Sequence, residues 1–453
     1  MAPNVKNMTE GKPLPLIITF ALPLMVGNVF QQMYTVVDTM VVGKALGVDA
    51  LAALGATDWL HWLVLGMVQG VTQGFAILMA TKFGARQYEN LRSVIGCSVT
   101  LSAACAVIFL LISQLAARPA LQLLQTPDAI IGWSLLYLRI MFLGLPIVMA
   151  YNLFSCILRS LGDGRTPLNA MVIASFTNIA LDLLFVLGFG WGIAGAAGAT
   201  LLAQTVSGIF CLVRILKIDF LTMEPAHFRV KPAMAMQLMN LGWPMALQNA
   251  IIAIGGMIIQ TVVNGYGVIF IAGFTATNKL YGVLEMAATS YGYAMITYVG
   301  QNLGAAKIHR IRTGMKWAIT VALATSGVIA AVMLVFGQHI VGAFISGTPE
   351  ETAAALKVGV TYLSTMSICL PILYILHVTR SAVQGMGNTV LPMVSGIGEF
   401  IMRTVCVLVL PAMLGEDGIY LAEVAAWLGA DLILIPSYHI TMAAARRLGK
   451  DPQ

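Results

Sequence analysis

Charge is what this sequence has least of: Asp, Glu, Lys and Arg make up 10% of its 453 residues, against roughly 25% in an average soluble domain. That scarcity excludes a water-soluble enzyme. Acid is the rarer sign, 19 residues against 25 Lys and Arg, for a formal net charge of +6. The cations form no basic domain and occur in small groups between apolar stretches, so the excess reads as topogenic charge and no nucleic-acid partner is expected. The six cysteines, Cys97, Cys105, Cys156, Cys211, Cys369 and Cys406, fall in apolar stretches without CxxC spacing and are read as helix-packing residues. The histidines His61, His227, His309, His339, His377 and His439 form no HExxH or other metal pattern. Gly162-Asp-Gly164 lacks the lysine spacing and the strand of a phosphate loop. No cofactor, metal catalysis or ATP hydrolysis is therefore expected; the chain is not read as an enzyme.

What fills the sequence is apolar residue, 59% of the whole, with a mean hydropathy of +0.87. A spanning helix needs about 20 largely apolar residues. Twelve such stretches are predicted, over 14–39, 53–80, 94–115, 131–157, 167–188 and 193–215, then 236–263, 268–300, 316–338, 358–383, 391–412 and 418–444. The expected class is an all-α polytopic membrane protein of twelve transmembrane helices. Its expected divisions are a polar head 1–13, a first lobe 14–216, a linker 217–235, a second lobe 236–444 and a tail 445–453. The first apolar run lacks a small-residue cleavage pattern and is read as a retained helix, not a signal peptide.

Lys6 and Lys12, Lys82, Arg86 and Arg92, Arg159 and Arg165, Arg214, Lys217, Arg229 and Lys231, Lys307, Arg310, Arg312 and Lys316, Arg380, and Arg446, Arg447 and Lys450 all fall on one side of this arrangement. The opposite loops hold only Lys44, Arg118 and Lys357, beside acids such as Asp49, Asp128, Glu350, Glu351, Glu416 and Asp417. Both termini are accordingly expected in the cytoplasm.

The halves also repeat. Leu22-Pro23 and Asn28 find Trp243-Pro244 and Asn249, and the run from Thr81 to Arg86 finds Gln301 to Ala306. Tyr137-Leu138, Pro146 and the run Leu161 to Pro167 find Tyr362-Leu363, Pro371 and Met386 to Pro392. The spacing drifts from about 220 to about 225. With six spans per half, corresponding helices run the same way, as in a parallel transporter repeat of two pseudo-symmetric lobes around a central cavity. Pro23, Pro146, Pro244 and Pro371 are placed to interrupt helix hydrogen bonding inside spans. Thr166 before Pro167 reads as the cap that starts the fifth span.

Acids inside a membrane are costly and mark function by default. On the first span Gln31, Tyr34 and Asp38 share one face, although Asp38 could also sit near a wet outer end. On the fifth, Met171, Ser175, Asn178 and Asp182 form a stripe ending in a carboxylate. Oxygens of Asp182, Asn178 and Thr200 could replace water around Na⁺, Asp182 could hold a proton, or the group could be a structural hydrogen-bond cluster. The second half does not repeat the site, because Arg403 and Val407 stand at the places of Asn178 and Asp182. Glu399 and Arg403, spaced i, i+4, fit a structural ion pair. Lys279, Glu285, Glu423, Asp431 and, in the first half, Arg139 could line a cavity, pair or snorkel. Among the 26 methionines, Met25, Met33, Met67, Met149 and Met171 suit either an adaptable apolar pocket or plain packing.

Three segments together resemble MATE (multidrug and toxic compound extrusion) transporters: Leu22 to Gly27, Tyr34 to Gly43 and Leu158 to Pro167. The resemblance covers essentially the whole chain and is closest to prokaryotic members of the DinF type. It implies secondary efflux of small cationic or amphipathic compounds by Na⁺ or H⁺ antiport with alternating access. It implies a monomer in the bilayer of a bacterial cytoplasmic membrane. A cation-coupling site would comprise Asp38, Asn178, Asp182 and Thr200, with no metal beyond Na⁺ there. Gln31, Tyr34, Tyr137, Asn152, Met171, Ser175 and Gln204 would line the substrate cavity. A lipid-linked oligosaccharide flippase of the same superfamily is the alternative; it should show a cationic cavity for pyrophosphate.

Overall fold

The computed structural model describes residues 4–345 and 348–448. Lys450 and the rest of the expected tail beyond 448, with residues 1–3 of the head, lie outside the described residues. The first half forms α1 (Pro13–Leu46), α2 (Val48–Gly84), α3 (Tyr88–Leu123), α4 (Asp128–Leu143), α5 (Leu145–Ser160), α6 (Arg165–Asp182) and α7 (Gly192–Leu216). The second forms α8 (Pro232–Asn264), α9 (Val268–Gly304), α10 (Ile308–Gly342), α11 (Pro349–Ile368), α12 (Leu370–Gly385), α13 (Val390–Leu414) and α14 (Asp417–Leu448). There is no strand among the described residues.

Among the described residues there are fourteen α-helices, and two pairs of them form bent spans. α4 meets α5 at 49° and α11 meets α12 at 50°. Each break falls where a proline, Pro146 or Pro371, opens the second helix of the pair and has no N–H to lose. Pro23 and Pro244, by contrast, stay inside continuous helices. Nine single helices and the two bent pairs are apolar enough to cross a membrane among the described residues. α9, the remaining helix, carries Asn278, Lys279 and Glu285 along its 37 residues.

The repeat seen in sequence returns as backbone geometry. Gly47 and Gly267 precede α2 and α9 with φ of 86° and 90°, and Arg86 and Ala306 turn the next corner at 57° and 55°. Gly162 and Gly387 follow at 79° and 85°, a left-handed region that favours glycine. At Gly162 the Lys6 carbonyl also occupies the space a Cβ would need, so the polar head docks on this turn. The N-cap of α6 is Gly164, not the expected Thr166, and the side chain that serves its first amides comes from Asp163 just before it. The Asp163 Oδ1 accepts from the Arg165 and Thr166 amides at 3.0 and 2.9 Å, and the Thr166 hydroxyl donates to the other Asp163 oxygen, so Thr166 serves as a donor inside the first turn. In the second half the Asn388 side chain likewise accepts from the Leu391 amide at 3.1 Å.

Two compact units result. The first comprises residues 1–10 and 22–250, the second 11–21 and 251–453. The first has a core of Phe75, Met79, Leu91, Leu121, Leu138 and Leu153 among others. Within it α2 and the start of α8 are in backbone contact: a Cβ on Gly70 or Gly74 would strike Ala246 or Gly242, the small-residue packing of membrane helices. In the second unit Phe270, Phe274, Tyr362 and Tyr420 stack with centroids 4.5 to 6.2 Å apart. Gly398 and Gly429 let α13 and α14 approach closely, their Cβ positions being taken by Ile433 and Met402.

Candidate functional site

Small residues bring α1, α6 and α7 of the first unit close enough to share polar groups. A Cβ on Gly27 would lie 2.8 Å from the Met171 sulfur, so α1 rests on the stripe of α6 at this level. One turn further, the Ser175 hydroxyl donates to the Phe30 carbonyl of α1 at 3.1 Å or to Met171 of its own helix at 2.8 Å. Ser207 of α7 reaches the Ala170 carbonyl at 3.3 Å, and the Asn178 amide donates to the Thr200 hydroxyl at 3.3 Å. Thr200 in turn donates to Ala196 at 3.2 Å, leaving a hydroxyl lone pair on the α6 side.

Beyond these contacts stand the acids. Asp182 and Asn178 are fully buried, and the Asp38 carboxyl lies within hydrogen-bonding reach of Asp182. Four oxygens in this cluster, Asp38 Oδ1, Asn178 Oδ1 and both of Asp182, are buried without a donor among the described residues. Buried acceptors without donors are expensive, and two carboxylates this close repel unless they share a proton or hold a cation. The chemistry of the donor set is all oxygen, as hard cations prefer.

Asp182 is also where the helix changes. α6 ends there and continues as a π-helical segment, Leu183–Gly188, with the Phe189 amide bonded to the Leu184 carbonyl at 2.8 Å. π-turns are rare and concentrate at functional sites. Phe185, Phe189 and Trp191 stack on one another with centroids 4.8 to 6.0 Å apart and fix the segment. Val186 and Ile193 join a small core with Val42, Ala50, Ala53, Leu54, Ile130 and Ala196, against which Tyr137 packs. This apolar plug ties the α1, α2, α4 and α7 ends around the acids.

Tyr34 hydrogen-bonds Gln31 and lies within electrostatic range of Asp38 and Asp182. Tyr137 of α4 faces the same two acids, Tyr34 and a third acid, Asp58. Sequence reasoning passed over Asp58, which lies inside an expected span and is exposed on α2. The bond from Ser134 to the Ala53 carbonyl, 3.1 Å, sets α2 and α4 in the register that brings Asp58 to Tyr137. The signal was an acid in an apolar span, without a polar stripe to draw attention to it. Of the other expected cavity residues, Gln204 has a buried oxygen without a donor among the described residues, while the Asn152 amide donates to Val148 of its own helix at 2.8 Å.

The second unit places an ion network at the matching level. Arg403 binds Glu399 at 3.0 Å and Glu423 at 2.9 Å, and Arg380 binds Glu399 at 2.7 Å. His377 meets Glu285 at 3.1 Å. Asp431 is buried near Arg380 and Glu399, its Oδ1 lacking a donor among the described residues. Glu399, Arg403, Glu423, Glu285 and Asp431 thus fall in one region, whereas Lys279 and Arg139 are exposed. Here Arg380 and Arg403 each have a carboxylate; among the described residues neither Asp38 nor Asp182 of the first unit forms an ion pair.

A profile of the MatE family matches residues 23–184 and 244–409. The probable multidrug resistance protein YpnP of Bacillus subtilis is 29% identical over 91% of this chain and 92% of its own. The multidrug export protein MepA of Staphylococcus saprophyticus is 23% identical, over 83% and 84% of the two chains. Among solved structures, an outward-facing multidrug resistance MATE family transporter of the MOP superfamily superimposes with a TM-score of 0.90 at 22% identity, over 98% of this chain and 99% of that one. A MOP superfamily transporter from Pyrococcus furiosus, described as having a binding pocket of reversed polarity, gives 0.90 at 21% identity over 99% of each chain. At these identities the structures attest the fold: twelve membrane helices in two lobes.

Proposed function

Because this chain belongs to the MatE family of transporters, we propose that it exports small cationic or amphipathic compounds by antiport, drawing energy from inward movement of Na⁺ or H⁺. The observation that carries this reading is the set of four donorless oxygens on Asp38, Asn178 and Asp182. A proton or Na⁺ supplies the charge these oxygens lack; so does the cationic group of a substrate. Occupants that need the same two carboxylates exclude each other, and that exclusion is what antiport requires. Thr200 would add an oxygen to the ion, and Asn178, held by Thr200, would present its carbonyl. Gln31, Tyr34, Tyr137, Asn152, Met171, Ser175 and Gln204 would line the cavity, the aromatic and thioether groups tolerating varied apolar bodies.

The work is transport: no bond of the substrate is broken, and the protein acts by opening the site alternately to each side as a monomer. The positive-inside rule puts the basic loops and both termini in the cytoplasm of a bacterial cell. Reconstitution into liposomes, with a fluorescent cationic dye and Na⁺ and proton gradients imposed separately, tests the reading. Dye efflux that follows one gradient and disappears in Asp182→Asn is the expected result. Absence of gradient-dependent flux in wild type contradicts it, and a lipid-linked headgroup then becomes the substrate class to assay.

A further inference from the structure

At the start of α10 a cleft of about 460 Å³ is lined by Ile308, His309, Arg312, Thr313, Lys316 and, from α14, Arg446. Three permanent cations and a histidine meet here with no acid in the lining. None of the three cations pairs with a carboxylate among the described residues. The repeat shows what such a place looks like when it is closed. At the spacing of about 220, Glu89 stands where the second half has His309, Arg92 where it has Arg312, and Gly96 where it has Lys316. There Glu89 neutralises Arg92 at 3.2 Å and takes the His227 ring at 2.9 Å, while Arg92 donates to the Phe220 carbonyl at 3.1 Å. The His227 backbone lies where a Gly96 side chain would be, so the segment after α7 fills the position. In the second half the acid has become a histidine and the glycine a lysine.

We propose that this cleft binds the headgroup of an anionic phospholipid. The phosphate would sit among Arg312, Lys316 and Arg446, which present point charges and guanidinium forks of the kind that hold phosphate oxygens. A lipid is favoured over a soluble phosphate because the cleft sits at the edge of the apolar part of α10. Trp317, next to Lys316, is 43% exposed, as expected of a residue in the interfacial belt. Leu323 and Leu334, on the Lys316 face of the same helix, are also exposed and offer a track for an acyl chain. Tyr438 lies within electrostatic range of both Arg312 and Arg446 and steadies the α14 side.

The test is native mass spectrometry of the full-length purified protein titrated with phosphatidylglycerol or phosphatidylcholine. Wild type should retain phosphatidylglycerol about tenfold more tightly, and the Arg312→Gln/Lys316→Gln double variant should lose that preference. Arg229→Gln, a cation outside the cleft, should keep it. Unchanged phosphatidylcholine adducts in the double variant show that it is folded. Equal retention of the two lipids by wild type, or an undiminished preference in the double variant, overturns the proposal. Displacement of phosphatidylglycerol by an equal concentration of glycerol phosphate, which has no acyl chain, overturns the lipid assignment.

Discussion

Two buried ionic arrangements stand at corresponding places of the two halves, and they differ at a single repeat position. Arg403 stands at the repeat position of Asn178, and its guanidinium reaches both Glu399 and Glu423. Taking it away strands Glu423 in the protein interior and leaves Glu399 with Arg380 alone, which costs about 3–5 kcal/mol. Arg403→Met should therefore lower the thermal midpoint of the purified protein strongly; a midpoint within a degree of wild type would show that the network is not structural. On the other side of the repeat Asn178 stands in place of the arginine, and the oxygens of Asp182 are buried without a hydrogen-bond donor among the described residues. Asp58 lies at the exposed edge of that group. Asp58→Asn should weaken the apparent affinity for a cationic dye by less than about fivefold, the worth of a solvent-screened charge, without changing which ion drives export. Dye titration at fixed gradient reads this directly, and loss of ion dependence would place Asp58 among the coupling groups.

The π-helical segment is the element on which the site turns. Its additional residue per turn shifts everything after Asp182 relative to α6, and the aromatic trio Phe185, Phe189 and Trp191 holds the shifted ladder. Deleting Leu184 should restore an ordinary α-helical ladder, leaving a protein that is folded and inserted but exports dye at background rate. Retained coupling in the deletion variant would mean that the π turn is incidental. Nothing in Leu-Leu-Phe-Val-Leu-Gly announces a π turn, since an apolar run looks alike in either ladder. The bends are different: Pro146 and Pro371 sit in the sequence at the places where the helices break, because a missing N–H is a local property. The Asp163 cap falls between these cases. Its motif, a turn before the fifth span, was legible, but which of Asp163 and Thr166 did the capping depended on side-chain direction.

Across the whole molecule, what could be read in advance was whatever repeats or follows from hydropathy: twelve helical spans, paired corners at Arg86 and Ala306, paired glycines at Gly162 and Gly387. The stripe of Ser175, Asn178 and Asp182 was legible because helical spacing alone puts these residues on one face. The Glu399–Arg403 pair was legible from its spacing, but the Asp38–Asp182 approach, the Asp58 edge and the addition of Arg380 and Glu423 to that pair join different helices, so only the fold brings them to view. The same divergence runs through the basic ends of the halves, where a neutralised arginine in one corresponds to an open cleft in the other. Two copies of one helical plan thus carry different charge chemistry, buried carboxylates without an ion pair among the described residues in the first and buried ion pairing in the second.

The central claim is that substrate and coupling ion compete for Asp38 and Asp182. The most direct measurement reverses the usual driving force: load a cationic dye gradient across proteoliposomes with no ion gradient, and record uphill movement of Na⁺ or protons in the opposite direction. The account predicts counterflow of one ion in wild type and none in Asp182→Asn, with the two proteins equally reconstituted. Counterflow that persists in Asp182→Asn would contradict it, because the ion would then be travelling through some other part of the protein.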